Sequence, residues 1–371
     1  MIGILSKESF TESNKKHDIT FILGVLLAIP LILTKSLIAI FASLVGFSLG
    51  VYIFVMSDYR KHIAREATIK YFFLSAVSVT LILFSFSLMY AIFETTDTAV
   101  IKTTAVENSA LTFLAFTFLV CGFSFKLAAY PGQLWAADVY EGSPKPVFAF
   151  FVLPSKIIIF IVFLNLLTDV FPALEESWKP LVAISCVGSL VWGGLAALYE
   201  KKIKRFMAYS SINQIGFLLA GVLTAPSLAK LYLIVYVIAS LGFIVVFLQA
   251  KPELMYITDF NPMYKSNPLF GISMVIIMFT MAGIPPLAGF WGKYFLLYGL
   301  FSIKYLIVLK IALVMSIITT FYYIRIIKVM LFEHLHLPKI YNNKSNVTLS
   351  MILNLAAVGF VVALDSLWLY I

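Results

Sequence analysis

The chain has 371 residues, 61% of them hydrophobic and 12% charged, with a formal net charge of +9 and a mean hydropathy of +0.99. Ordinary soluble domains carry about 25% charged residues, so this composition excludes a soluble enzyme and makes lipid the solvent for most of the chain. Cys121 and Cys186 fall inside apolar runs and read as small core hydrophobes rather than parts of a disulfide framework or metal cluster. His17, His62, His334 and His336 lie near segment ends, which argues against an intramembrane haem held by paired histidines.

Met1 to Asp18 is polar and mixed in charge, without the apolar stretch of a signal peptide or the Arg-rich pattern of a transit peptide. Crossing about 30 Å of hydrocarbon takes roughly 20 apolar residues. Such stretches occur at 19-34, 36-56, 67-93, 109-137, 146-167, 179-199, 206-225, 227-249, 268-300, 303-331 and 347-370. The expected fold is therefore an all-α polytopic membrane protein with about eleven transmembrane helices. Residues 19-56 form one apolar run interrupted by Lys35, and a single helix of that length would overshoot any bilayer, so a tight hairpin is expected. The remaining pieces are too short to hold a soluble domain.

Taking connections alternately, fifteen Lys/Arg fall on the N-terminal side, among them Lys7, Lys15, Lys16, Arg60, Lys61, Lys201, Lys202, Lys204 and Arg205. The other side has Lys35, Lys102 and, at helix starts, Lys179 and Lys304. This asymmetry places the N-terminus in the cytoplasm or matrix and accounts for the positive charge better than binding of nucleic acid does.

Lys126, Lys156, Lys293 and Lys310 lie more than one turn from either end of their spans. A charge at depth costs roughly 2.5–3.5 kcal/mol on insertion scales unless it meets water or a partner. Snorkelling accounts for Lys310, and for Arg325 and Lys328 in the last two turns of their helix. Lys126 precedes Pro131-Gly132, whereas Lys293 follows Gly283-Ile284-Pro285-Pro286. These are the fourth and ninth spans, which cross in opposite directions. Interrupted spans at corresponding places point to two inverted five-helix repeats, each with a broken helix, plus one extra C-terminal helix. Tolerated kinks are the alternative. The expected divisions are a polar segment 1-18, a first antiporter-like half 19-167, a second half 179-331 and a C-terminal helix 347-370. A buried lysine can carry protons, because desolvation and neighbouring charge oppose each other in setting its protonation. Dinucleotide and P-loop fingerprints are absent, and Ser210-Ser211 has no nearby base.

Three stretches carry a resemblance. Trp135, Asp138-Val139-Tyr140-Glu141-Gly142-Ser143-Pro144 and Pro154-Ser155-Lys156 form the first, Ile203-Lys204-Arg205-Phe206-Met207-Ala208-Tyr209-Ser210-Ser211-Ile212 the second, and Ala282-Gly283-Ile284-Pro285 through Lys293 the third. Together they resemble the antiporter-like subunit 2 of respiratory complex I, called subunit N in bacteria. The Asp-Val-Tyr-Glu-Gly form separates it from the sister subunits 4 and 5 and from cation/proton antiporters, and eleven helices match the shortened subunit that lacks the first three of the bacterial fourteen.

The resemblance implies a proton-translocating membrane-arm subunit of NADH:ubiquinone oxidoreductase, with quinone reduced elsewhere in the complex. By motif position Lys126 is the first-half channel lysine, Lys156 the connecting one and Lys293 the second-half one, and Glu66 and Lys70, stacked at i,i+4, match the family's helix that follows the second span. An interfacial salt bridge is the plain alternative for that pair. The resemblance also implies no cofactor or metal in this chain, other membrane-arm subunits (4 and 4L-type) and lipids as partners, and the mitochondrial inner membrane with the N-terminus in the matrix, or a bacterial plasma membrane.

The sequence also departs from the family pattern. The glutamate that the family pairs with the first-half lysine is Val45 here, and the usual histidines are Gln133 and Gln214, which removes titration near neutral pH at those two positions. Glu66 is the expected substitute partner of Lys126, directly or through water. Two alternatives remain: a cation/proton antiporter subunit, and a structural complex I subunit whose first half-channel has decayed.

Overall fold

In the computed structural model, residues 29–31, 33–56, 62–104, 109–249, 255–260 and 268–332 are described. The polar segment 1-18, most of the span 19-34 and the span 347-370 lie outside them. Every regular element among the described residues is a helix, and two isolated bridges, Ser36 with Asp97 and Lys202 with Tyr256, tie loop ends together. In hydrocarbon each backbone N–H and C=O must be satisfied within the segment, which leaves helices as the economical solution for so apolar a chain. The protein is an integral, multi-pass membrane protein: eight helices or helix runs among the described residues are long and apolar enough to cross a bilayer.

The chain forms two compact units, Met1–Ser189 and Leu190–Ile371. The first contains α1 (Leu37–Val55), α2 (His62–Phe93), the short α3 (Thr98–Thr103), α4 (Ala110–Leu127), α5 (Ala136–Gly142), α6 (Lys145–Val152) and α7 (Pro154–Asn165), which runs into a π-turn over Leu166–Val170. α2 is the spine of this unit and packs along α4, with α1 and α5 on its other sides. Ser109 and Thr112 close a capping box that starts α4, satisfying two donors at its first turn.

The second unit takes over within α8 (Glu175–Tyr199) and contains α9 (Ile203–Thr224), α10 (Pro226–Gln249), a 3-10 turn Ile257–Phe260, α11 (Pro268–Ala282), α12 (Ala288–Ser302) and α13 (Leu306–Phe332). Its centre is α9, which is buried along nearly its whole length and carries Ser210, Ser211, Asn213 and Gln214 in mid-helix. Polar side chains are costly against lipid, and the Asn213 and Gln214 amides lie on a helix that its neighbours enclose. Large apolar residues such as Ile38, Phe73, Ile307 and Phe321 remain exposed on outer faces, where acyl chains replace water as the contact.

The breaks expected in the fourth and ninth spans are present. The fourth stops at Leu127 and resumes as α5, and the ninth is divided into α11 and α12. Each break contains a cis peptide bond, Tyr130–Pro131 and Pro285–Pro286. A third break went unforeseen: the span 146-167, read as one apolar helix, is interrupted at Leu153, with Pro154 opening α7. Proline lacks the N–H that would continue α6 and is pre-set for the first position of the next helix.

Candidate functional site

In the first unit Lys126 lies in the last turn of α4, two residues before the left-handed residue Ala128 (φ 58°). The break beside it is held by hydrogen bonds that replace the lost helical ones. Trp135 Nε1 donates to Phe125 O (2.8 Å), Ala129 N to Ser124 O (2.8 Å), Ser185 Oγ to Tyr130 O (2.6 Å) and Tyr130 N to Ser189 Oγ (2.8 Å). Gly132 is required here, because a Cβ would lie 2.4 Å from the Phe125 backbone. Gln133 is buried, and its Oε1 has no hydrogen-bond partner among the described residues.

The Lys126 ammonium donates to Ser48 Oγ on α1 and to Ser75 Oγ on α2, the latter at 2.8 Å. Ser48 Oγ donates its own hydrogen bond to Leu44 O (2.6 Å), so its lone pairs are free to accept. A direct approach of Glu66 to Lys126 is not what the structure has. Glu66 Oε1 is 2.7 Å from Lys70 Nζ, and nine residues separate it from Ser75 on the same helix, about 13.5 Å along the axis. Lys70 also reaches Asp138 Oδ2 at 2.7 Å, which joins α2 to α5. Asp138 was missed as a partner of Lys70; its signal was the Asp-Val-Tyr-Glu-Gly motif, in which it is the first residue. All three side chains are more than a third exposed (39%, 52% and 37%), so this cluster contributes on the order of 1 kcal/mol or less to stability.

Lys156 is the third residue of α7, 3% exposed, with its ammonium 5.7 Å from the centroid of the Tyr140 ring. It therefore stands beside a helix break, as Lys126 and Lys293 do, rather than in the middle of an uninterrupted helix.

In the second unit α11 ends on Gly283, whose φ of 81° favours glycine. Lys293, one turn into α12 and 3% exposed, donates to the carbonyl of Ala282 (2.9 Å), which the break leaves without a helical partner. A cation is favoured at a helix C-terminus, where carbonyl dipoles converge. The same ammonium lies 4.8 Å from the Phe217 ring centroid. The neighbouring carbonyl, Met281 O, accepts from Gln214 Nε2 (3.1 Å), and Gln214 Oε1 accepts from Tyr232 Oη (2.5 Å). Ser210 and Tyr323 share a hydrogen bond of 2.8 Å. A cavity of about 10 Å³ lies among Gln214, Tyr232, Tyr236 and Thr280, room for about one water.

Arg325 was read as snorkelling and instead does structural work. Its guanidinium donates to the carbonyls of Leu198 and Glu200 (the latter at 2.6 Å), closing the end of α8. Lys310 is exposed. At the same end of the unit Glu200 accepts from the backbone N–H groups of Lys201 (2.9 Å) and Lys202 (3.2 Å) and from Arg205 Nε (3.0 Å). Burial pushes its carboxyl up, and these donors outweigh burial, leaving its pKa below the ordinary carboxylate range.

A family model described as NADH:quinone oxidoreductase/Mrp antiporter, TM, matches residues 34–319. NADH-quinone oxidoreductase subunit N of Paramagnetospirillum magneticum is 34% identical, over 82% of this chain and 65% of that protein. The subunit of the same name from Hydrogenovibrio crunogenus is 34% identical, over 90% of this chain and 72% of its own length. The chain thus spans about two thirds of the length of these relatives. Among solved structures, respiratory complex I from Thermus thermophilus contains a chain of TM-score 0.85 and 26% identity, matched over 97% of this chain and 80% of that one. A chain of the Mrp complex from Dietzia, at 16% identity and TM-score 0.84, shares the fold.

Proposed function

Because this chain belongs to the NADH:quinone oxidoreductase/Mrp antiporter transmembrane family, within its subunit N branch, we propose that it is a proton-translocating membrane-arm subunit of an NADH:quinone oxidoreductase complex. It assembles with other membrane-arm subunits and carries no cofactor. The observation that carries the reading is Lys293: an ammonium 3% exposed, held by the Ala282 carbonyl that a helix break sets free. Such a lysine gives up its proton without breaking an ion pair, and when it is neutral the carbonyl loses only one donor. Gln214 and Tyr232 supply the neighbouring hydrogen-bonding groups, and Lys126 holds the equivalent place beside the break in the first unit. Lys156, beside the break at Leu153, is a further proton-carrying lysine of the first unit, and the half-exposed Lys70, Glu66 and Asp138 exchange protons with water at one end.

The relatives named above are bacterial, which supports a bacterial-type plasma membrane, while 23 lysines against four arginines suit a mitochondrial gene and the inner membrane. In the assembled complex, Lys293→Met should abolish most proton translocation per NADH oxidised while leaving assembly intact. Unchanged translocation refutes the reading.

A second reading is favoured by one observation, that hydroxyls and not a carboxylate hold Lys126: the first half-channel has decayed and this half is structural. In that case Lys126→Met leaves proton translocation at the parental level, whereas Lys293→Met does not.

A further inference from the structure

A cavity of about 260 Å³ opens between α1 and α2, lined from Val45 to Tyr52 on the first helix and from Tyr71 to Thr80 on the second. Its walls are mainly apolar and include Leu49 and Phe72, which are 53% and 44% exposed on the outer face of the unit. Ser48 and Ser75, the two hydroxyls that hold the Lys126 ammonium, are both part of its lining, and so is Val45. The half-buried Lys126 therefore stands behind the floor of a groove that faces outward. A lysine at this depth is costly without a counter-charge. Ser48 and Ser75 are its hydrogen-bond partners, and Glu66 is engaged with Lys70.

We propose that this groove receives a transmembrane helix of a neighbouring subunit, carrying one aspartate or glutamate near mid-span whose carboxylate pairs with Lys126. The proposal rests on the chain being part of a multisubunit membrane complex. Charge complementarity points to the carboxylate, and the shape of the groove points to a helix. The lining runs along the helix axes, about 10.5 Å on α1 and about 13.5 Å on α2 at 1.5 Å per residue. Its two serine hydroxyls, Ser48 and Ser75, lie in the middle of that length, with aromatic residues Tyr52, Tyr71 and Phe72 toward one end and Val45, Val79 and Thr80, whose hydroxyl bonds its own helix, toward the other. A single-chain amphiphile carries its charge at one end and would bring it to the wrong depth. A helix with an acid at mid-span brings the carboxylate opposite Ser48 and Ser75 while its apolar residues cover Leu49 and Phe72. The carboxylate that, among the described residues, the chain does not bring to Lys126 is then supplied from outside it.

Two experiments on the whole complex in native membranes test this. A photo-cross-linking residue in place of Leu49 should capture a transmembrane peptide of another subunit that contains an Asp or Glu. Cross-links confined to lipid, to this chain, or to a segment without an acid overturn the proposal. Val45→Glu should lower the amount of assembled complex, or its proton translocation, at least tenfold relative to Val45→Gln, because two carboxylates then face one lysine. Val45→Glu equal to or better than Val45→Gln overturns it, since the new carboxylate would then be supplying a missing partner. The cross-link does not depend on Lys126 carrying protons. An unchanged Lys126→Met variant would remove the proton-carrying role of this unit and leave the docking result standing, and a failed cross-link beside an inactive Lys126→Met would do the reverse.

Discussion

Gly289 is the position where a single methyl group most directly tests the coupling of fold and site in the second unit. A Cβ there would lie 1.7 Å from the carbonyl oxygen of Thr280 and 2.7 Å from its carbon, both backbone atoms of α11. Restoring an ordinary contact means separating α11 from the first turn of α12 by on the order of 1.5 Å. Lys293 follows Gly289 by one turn on the same helix, and its 2.9 Å bond to Ala282 O is made back to α11. A shift of that size carries the bond past the 3.5 Å limit of a hydrogen bond.

Gly289→Ala therefore incurs about 1–3 kcal/mol of overpacking and about 1.5–3 kcal/mol from a lost charged hydrogen bond. A misplacement of roughly 1 Å at a reacting group also slows transfer by as much as a hundredfold. Gly299→Ala, farther along α12, is the control. Its Cβ meets Leu228 Cδ1 at 3.0 Å, the far end of a flexible side chain, and the Thr224 side chain at 3.1 Å, so its cost is about 1 kcal/mol. The assays are thermal loss of the native-gel band of the purified complex and protons translocated per NADH oxidised in sealed vesicles. Equal behaviour of the two variants in both assays refutes the reasoning.

Lys156→Met should reduce proton translocation per assembled complex severalfold while assembly holds, since methionine fills a similar volume in the same buried place; equal loss of both would make Lys156 a packing residue. Arg325→Lys should be nearly as destabilising as Arg325→Met, by about 1.5–3 kcal/mol, because a point charge does not span the Leu198 and Glu200 carbonyls as a planar fork does; thermal melting of the two variants checks this. Glu200 is ionised more readily in the folded chain than in the unfolded one, so its contribution is present above the unfolded carboxylate pKa, about 4.3, and is lost as pH falls through its lower folded value. Glu200→Gln should accordingly narrow the gap in melting temperature between pH 7 and pH 4, and an unchanged gap would contradict the arrangement around Arg205.

What the sequence by itself determined is local or follows from solvent. An apolar chain must satisfy its backbone as helices in lipid, and the breaks beside Lys126 and Lys293 were legible because Pro131, Gly132, Gly283, Pro285 and Pro286 act on their own neighbours. The break at Leu153 was equally local and was passed over because the flanking run is so apolar, although Pro154 marked it. The charge partners belong to the other class. Ser48 and Ser75 lie 78 and 51 residues from Lys126, Asp138 lies 68 from Lys70, and Leu198 lies 127 from Arg325. Which residue meets which across packed helices depends on their register and rotation, set by packing at the contact surfaces and not by spacing along one helix. Glu66 was thus chosen on sequence for Lys126 and found on Lys70, one turn along its own helix, where i,i+4 geometry needs no tertiary structure. The serines that hold Lys126 in its place carried no sequence signal, because a hydroxyl in a membrane helix more often bonds its own backbone, as Ser48 also does.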